Sequence, residues 1–151
     1  MNHTPLLIAM ILMWIAVVVG LYQRIFEMPK WFANPPESFG LIRKQSKRSR
    51  TFWLPLSVLL MISLIGALIL NWQNPHIRNH IFGALVCFGL TGALSGIYFV
   101  KAIISFTKIP IDAPQTSELL HRTKLWLRWT SVRDVLQVFA ALFVTVAYRH
   151  S

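Results

Sequence analysis

The fold is decided by an uninterrupted apolar run near the start of the chain, LLIAMILMWIAVVVGLY at residues 6–22. From Asn2 to Gln23 there is no Asp, Glu, Lys or Arg. A helix of about 20 such residues crosses the hydrocarbon core of a bilayer, which is about 30 Å thick. The run lacks the basic start and the small-residue cleavage site of a secretory signal peptide, so we expect it to be retained as a membrane span.

Three further segments have the same character. Residues 51–77 and 79–100 contain no Asp, Glu, Lys or Arg. The last uncharged run, 135–148, is shorter, so we extend it back to Trp129. This extension places Arg133 and its neighbour Asp134 one turn inside the interface, where long side chains reach water.

The sequence therefore predicts an all-α protein, a four-transmembrane-helix bundle that forms a single integral membrane domain over residues 1–151. The expected spans are roughly 4–22, 53–72, 81–101 and 129–148. Composition agrees, since 55% of the residues are hydrophobic, only 13% are charged and the mean hydropathy is +0.55. Soluble domains carry about 25% charged residues.

Lys and Arg are distributed unequally between the connecting segments. Seven lie between spans one and two, and five lie between spans three and four before Arg133, whereas the other side has only Arg78 and Arg149. By the positive-inside rule we expect the two basic loops to be cytoplasmic and both termini to be non-cytoplasmic. The net charge is +10, and because its cations flank apolar runs, we expect anionic lipid headgroups and no nucleic acid as partners.

Small residues recur in the third span at Gly89, Gly92, Ser95 and Gly96, and Gly92 and Gly96 form a GxxxG pair. Such residues let a neighbouring helix backbone approach closely. We predict that they pack inside the bundle, and a homo-oligomer seam is the alternative.

In the fourth span, Trp129, Arg133 and Gln137 recur every four residues and so lie along one helical stripe. Polar side chains within a membrane normally face the bundle interior, where a charge needs a partner. We predict that Arg133 pairs with Glu27, which follows the first span on the same side. The alternative is that Arg133 only extends to lipid phosphate.

Four histidines map to the side with few cations, and His76 and His80 have the spacing at which two imidazoles share a metal. No carboxylate or thiolate accompanies them on that side, so we expect no metal site. The chain has neither a Gly-rich phosphate loop nor a nucleophile elbow, and we expect no cofactor.

Two segments carry a family resemblance. The sequence GLYQRIFEMPKWFANPPESF at 20–39 resembles the loop after the first helix in a family of small four-helix membrane proteins of unknown function, often grouped with the fungal anthrone oxygenases. The segment WLRWTSVR at 126–133 is similar to the entry into that family's last helix. The resemblance implies a four-helix bundle and cofactor-independent oxygenation of aromatic polyketides. It points to Glu27, Pro29, Trp31, Pro35, Pro36, Trp129 and Arg133.

The prolines at 35 and 36 fix φ and disfavour helix, so we expect residues 31–36 to be extended, either as a lid over a cavity or as an interfacial anchor. Two function classes follow. The first is a small hydrophobic ligand pocket at the cytoplasmic end, anthrone-oxygenase-like by resemblance, lined by Glu27, Trp31, Trp129, Arg133 and Gln137. The second is a non-enzymatic membrane partner or assembly factor that docks lipid or protein through the basic loops. The sequence leaves open whether the chain is an enzyme.

The charge distribution predicts the topology. In a Cys87→Ser background, a cysteine at Asn74 should react with a membrane-impermeant thiol reagent in intact cells, whereas a cysteine at Ser46 should not, because position 46 lies in a basic cytoplasmic segment. Labelling at 46 and not at 74 would mean that the orientation is reversed.

Overall fold

A computed structural model describes residues 3–151, which form four long antiparallel helices and no β-strand. We number the helices in chain order as α1 (His3–Trp31), α2 (Phe39–Leu70), α3 (Pro75–Lys108) and α4 (Ser117–Arg149). Each one is long and apolar enough to cross a membrane. The predicted all-α four-helix bundle is confirmed, and the four candidate spans support an integral membrane protein.

Each helix packs against its neighbour in sequence, and α4 closes the bundle by packing against both α3 and α1. The core in the middle of the bundle contains fully buried alanines packed with larger side chains. These alanines are Ala9, Ala16, Ala84, Ala140 and Ala141. Small residues at helix contacts let backbones approach closely, which is how helices associate in lipid.

The end with few cations is closed by a short turn between α2 and α3. The side-chain oxygen of Asn74 caps α3 by accepting hydrogen bonds from the backbone N–H groups of His76 and Ile77, at 3.2 and 3.4 Å. Such a cap satisfies donors that have no partner within the helix. The His3 ring lies 2.8 Å from the hydroxyl of Ser151, so both ends of the described chain meet here.

At the other end all four helices continue past the predicted spans. The second span was expected to begin near residue 53, but α2 begins at Phe39, and the fourth was expected near 129, but α4 begins at Ser117. At 1.5 Å per residue these two extensions are about 20 Å long. The segments expected to be basic loops are therefore largely helical. We call this part of the bundle, residues 23–52 and 99–128, the basic end.

The extension of α2 is helical because its residues have amphipathic spacing. Phe39 and Ile42 are buried and Ser49 and Trp53 are half-buried, all towards the bundle. The exposed positions between them are basic: Arg43, Lys44, Lys47, Arg48 and Arg50.

The basic end has a hydrophobic core of its own, made of aromatic side chains from all four helices. Its members, which we call the aromatic core, are Trp31, Phe32, Phe39, Phe99, Phe106 and Trp126. Trp126 is 2% exposed, and its ring centroid lies 5.2 Å from that of Phe99 and 5.3 Å from that of Phe32. Aromatic pairs at such distances stabilise beyond the area that they bury.

The segment predicted to be extended, residues 31–36, is instead a compact turn. Trp31 ends α1 inside the aromatic core, and its indole N–H donates to the side-chain oxygen of Gln45. The hydroxyl of Ser38 donates to the backbone oxygen of Trp31 at 2.6 Å, and Pro35 and Pro36 are buried. The segment folds back under the bundle as part of its core and not as a lid.

The predicted packing of Gly89, Gly92 and Gly96 inside the bundle is wrong. A Cβ atom built on any of the three would meet nothing within 4 Å in the described chain, and the hydroxyl of Ser95 bonds to its own helix. Small residues permit a close helix contact but do not require one, and a different face of α3, with the buried residues Ile77, Ile81 and Ala84, is turned inwards. Among the glycines, the tightest contact is instead at Gly83, where a Cβ would lie 3.3 Å from the ring of Phe143.

The aromatic core predicts a contrast between two tryptophans on α4. Trp126→Ala should lower the free energy of unfolding by about 3–5 kcal/mol, because it leaves a cavity among buried rings. Trp129 is 39% exposed, so Trp129→Ala should lower the free energy of unfolding by well under half of the loss caused by Trp126→Ala. Thermal unfolding of the detergent-solubilised protein measures both, and equal losses would contradict a separate core at this end.

Candidate functional site

Two π-helical turns lie where the apolar parts of the helices meet the basic end, at Gln23–Glu27 of α1 and at Ser95–Phe99 of α3. Their i→i+5 hydrogen bonds add a residue to the turn and re-aim the side chains, and such turns are frequent at functional sites. The first of these turns carries two members of a group of polar side chains that we call the polar layer. It consists of Gln23, Arg24, Trp53, Ser131, Arg133 and Asp134.

Asp134 is the centre of the polar layer. Its Oδ2 atom accepts a hydrogen bond from Nη1 of Arg24 at 3.0 Å, and its Oδ1 atom lies 3.3 Å from Nη2 of Arg133. Arg24 also donates to the hydroxyl of Ser131 at 2.7 Å. The side chain of Asp134 is 11% exposed and that of Arg24 is 35% exposed. One carboxylate therefore serves two guanidinium groups, and the cluster keeps one unit of positive charge.

The predicted Glu27–Arg133 pair is wrong. Within residues 3–151 the carboxylate that contacts Arg133 is that of Asp134, and the guanidinium carbon lies 5.0 Å from the ring centroid of Phe99. Glu27 instead lines a groove of about 200 Å³ on the α2 side, with Gln45 among its neighbours. The π-turn that carries Glu27 directs it to α2, whereas Arg24 of the same turn faces α4.

A second set of contacts joins α1 to α2. The indole N–H of Trp53 donates to the side-chain oxygen of Gln23 at 3.1 Å, and the amide nitrogen of Gln23 lies 3.5 Å from the hydroxyl of Ser49. These bonds hold the first π-turn against α2, whose extension carries five exposed cations.

The structure distributes the five predicted ligand-binding residues over separate places. Trp31 belongs to the aromatic core, and Glu27 faces α2. Trp129 is exposed, with its ring centroid 6.2 Å from that of Tyr98. Gln137 is 6% exposed, and its side-chain oxygen would lie 3.6 Å from a Cβ built on Gly20. Of these residues and Arg133, Glu27 alone lines either of two grooves of the described chain, which have volumes of about 200 and 380 Å³.

Sequence reasoning missed Gln23, Arg24 and Asp134. A signal for two of them existed, since Asp134 is the one acidic residue within the predicted spans and Arg24 is the first charge after the first span. An acid at membrane depth needs a cation, and Arg24 enters the membrane on the same side.

The histidines form no group of three or more metal-ligating side chains within residues 3–151. Nδ1 of His80 lies 2.7 Å from the backbone oxygen of His76 and so is engaged within its own helix. The expected absence of a metal stays a prediction.

No family model, no curated protein and no solved structure matches the chain. The resemblance to the family grouped with the anthrone oxygenases therefore stays a prediction.

The polar layer predicts which charges are coupled. Asp134→Ala should lower the free energy of unfolding more than Arg24→Ala, since it removes the carboxylate from two guanidiniums. The double variant should lose about 1–2 kcal/mol less than the sum, between the values for buried and exposed pairs. Glu27→Ala and Arg133→Ala form the matched pair and should add within about 0.5 kcal/mol. Urea or thermal unfolding in detergent measures all the single and double variants. If Glu27 and Arg133 were coupled and Arg24 and Asp134 were not, the pairing of Arg24 with Asp134 would be contradicted.

Proposed function

We propose that this chain is a membrane-anchored docking protein whose basic end binds an acidic surface of a partner protein. The observation that carries the proposal is the row of exposed cations on the extension of α2: Arg43, Lys44, Lys47, Arg48 and Arg50. Membrane orientation alone needs only an excess of Lys and Arg in short loops, and these can be unstructured. Here the cations have a fixed spacing on a helix.

The outer cations stand farther from the hydrocarbon than lipid headgroups extend. Arg43 precedes Trp53, near which the span was predicted to begin, by ten residues, or about 15 Å of helix. The polar region on each side of a bilayer is only about 5–8 Å thick. The cations near residue 50 therefore reach lipid phosphate, whereas Arg43 and Lys44 project beyond it, to where a soluble acidic surface can meet them.

These cations form no close ion pairs within the described chain. Among residues 3–151, the carboxylate–cation contacts within 4.0 Å both involve Asp134, so the cations of the α2 extension have no carboxylate at that distance. Positive surfaces of this kind attract complementary partners and raise the rate of association.

The cations are also pre-organised. Phe39 and Ile42 on the inner face of the same helix are buried at the aromatic core. The guanidinium of Arg43 donates to the backbone oxygen of Ile109 at 2.6 Å, which ties α2 to the segment after α3. A surface fixed before binding loses less conformational entropy when a partner docks.

The other function class, a small hydrophobic ligand pocket with anthrone-oxygenase-like chemistry, was expected to bring Glu27, Trp31, Trp129 and Arg133 around one cavity. In the described chain Trp31 is instead buried in the aromatic core and Glu27 faces α2, and this separation favours docking. Oxygenation stays a prediction of the resemblance alone.

A photo-crosslinking amino acid at Leu41 tests the proposal, since this residue is 38% exposed on the α2 extension. In intact cells it should form a protein adduct. The combined change Lys44→Gln, Lys47→Gln and Arg48→Gln should lower the adduct yield about tenfold, since three surface contacts of about 0.5 kcal/mol are lost. The triple variant still has more Lys and Arg at the basic end than at the other end, so the orientation of the spans in the membrane should not change.

Two controls accompany this experiment. The charge-preserving set Lys44→Arg, Lys47→Arg and Arg48→Lys should retain the adduct, and the crosslinker at Ile62, 63% exposed within the second span, should not form it. If Leu41 yields only lipid adducts, or the same proteins as Ile62, the docking function is wrong.

A further inference from the structure

A groove runs along the outer seam between α1 and α4, on the membrane side of the polar layer, with a volume of about 380 Å³. Its apolar wall consists of Leu21, Val135, Val138, Phe139 and Leu142, and its polar end consists of Arg24, Ser131 and Asp134. Val135 and Phe139 are 53% and 51% exposed, so the groove opens outwards from the bundle. In a membrane-spanning bundle this opening faces lipid.

The length of the groove matches one leaflet of a bilayer. Ser131 at the polar end and Leu142 at the other end are eleven residues apart on α4, which is about 16 Å of helix. Half of a hydrocarbon core of about 30 Å is about 15 Å. With its polar end about one turn inside the interface, as predicted for Asp134, the groove has an apolar wall that reaches about the middle of the membrane.

The charged cluster at the polar end keeps one unit of positive charge, because Asp134 neutralises only one of the two guanidiniums that contact it, Arg24 in the groove and Arg133 behind it. Arg24 is the more accessible of the two, at 35% side-chain exposure against 17% for Arg133. Two of its N–H groups bond to Asp134 and Ser131 within the described chain. A guanidinium has five N–H donors, so Arg24 retains donors for a phosphate.

We propose that this groove binds one anionic phospholipid of the leaflet at the basic end. Its phosphate contacts Arg24 at the polar end, and one acyl chain lies along the apolar wall between α1 and α4. Charge selects a headgroup with net negative charge, and the apolar wall selects a lipid over a soluble anion. The site is separate from the docking surface, which lies on the outer face of α2.

Native mass spectrometry of the full chain in mild detergent, titrated with dioleoyl phosphatidylglycerol, tests the proposal. One lipid per chain should remain bound. Arg24→Gln should weaken binding about tenfold, because a charge-assisted hydrogen bond is lost. Val138→Trp fills the groove while leaving every charge in place, and it should weaken binding to a similar degree.

Matched controls remove a charge or add an indole elsewhere. Arg50→Gln removes a cation from the same end of the bundle, and Val58→Trp adds a ring at a position of α2 that is 52% exposed. Both should leave the affinity unchanged. Because neither groove variant alters the α2 extension, adduct formation at Leu41 should persist in both, and the failure of one proposal does not imply that of the other.

Three results would overturn the lipid site. Binding that is unchanged by both Arg24→Gln and Val138→Trp, or lowered equally by the controls, would mean that lipid binds without using the groove. Phosphatidylcholine that binds as tightly as phosphatidylglycerol would contradict the role of the residual charge. Glycerol phosphate that binds as tightly as the whole lipid would mean that the polar end takes a free anion and that the apolar wall contributes nothing.

Discussion

The four helices are longer than the membrane that they can cross, and the rest of the structure depends on this excess. Helices of 29 to 34 residues measure about 43–51 Å, against a hydrocarbon core of about 30 Å. The surplus lies mainly at one end, where the chain can no longer rely on lipid to cover its apolar faces. The aromatic core covers these faces, because rings from all four helices bury one another there.

The polar layer lies at the boundary between these two environments. In the middle of the bundle the contacts are made mainly by alanine and larger aliphatic side chains, and at the basic end they are made mainly by aromatic rings. Charged groups at this depth are costly unless they are paired or reach water. Asp134 meets that requirement by accepting from one guanidinium on its own helix and from another on α1. The same arrangement leaves one positive charge at the interface, where an anionic group can contact it.

Uncharged runs identified the four spans because the cost of burying charge in hydrocarbon is large compared with any local preference. They could not locate the helix ends in water, where Lys and Arg are as compatible with helix as with loop. The charge of the segment between spans one and two predicted a loop. The helical spacing of Phe39, Ile42 and Ser49 was the signal that indicated the α2 extension. For partners of charged residues, the sequence gives the depth of each side chain but not its direction. Glu27 and Asp134 were both at a suitable depth to pair with Arg133. The π-turn in α1 directs Glu27 towards α2, and Arg133 contacts Asp134.

The central claim is that one continuous helix passes from hydrocarbon into water at the polar layer, and α4 tests it most directly. Nitroxide labels at Leu120, Lys124, Val135 and Leu142, all at exposed positions, can be compared in vesicles by their relaxation with oxygen and with a water-soluble nickel complex. We predict that nickel dominates at 120 and 124 and that oxygen dominates at 135 and 142. If positions 120 and 124 are as deep as 135, the extension lies in the membrane and the basic end is not a water-exposed structure.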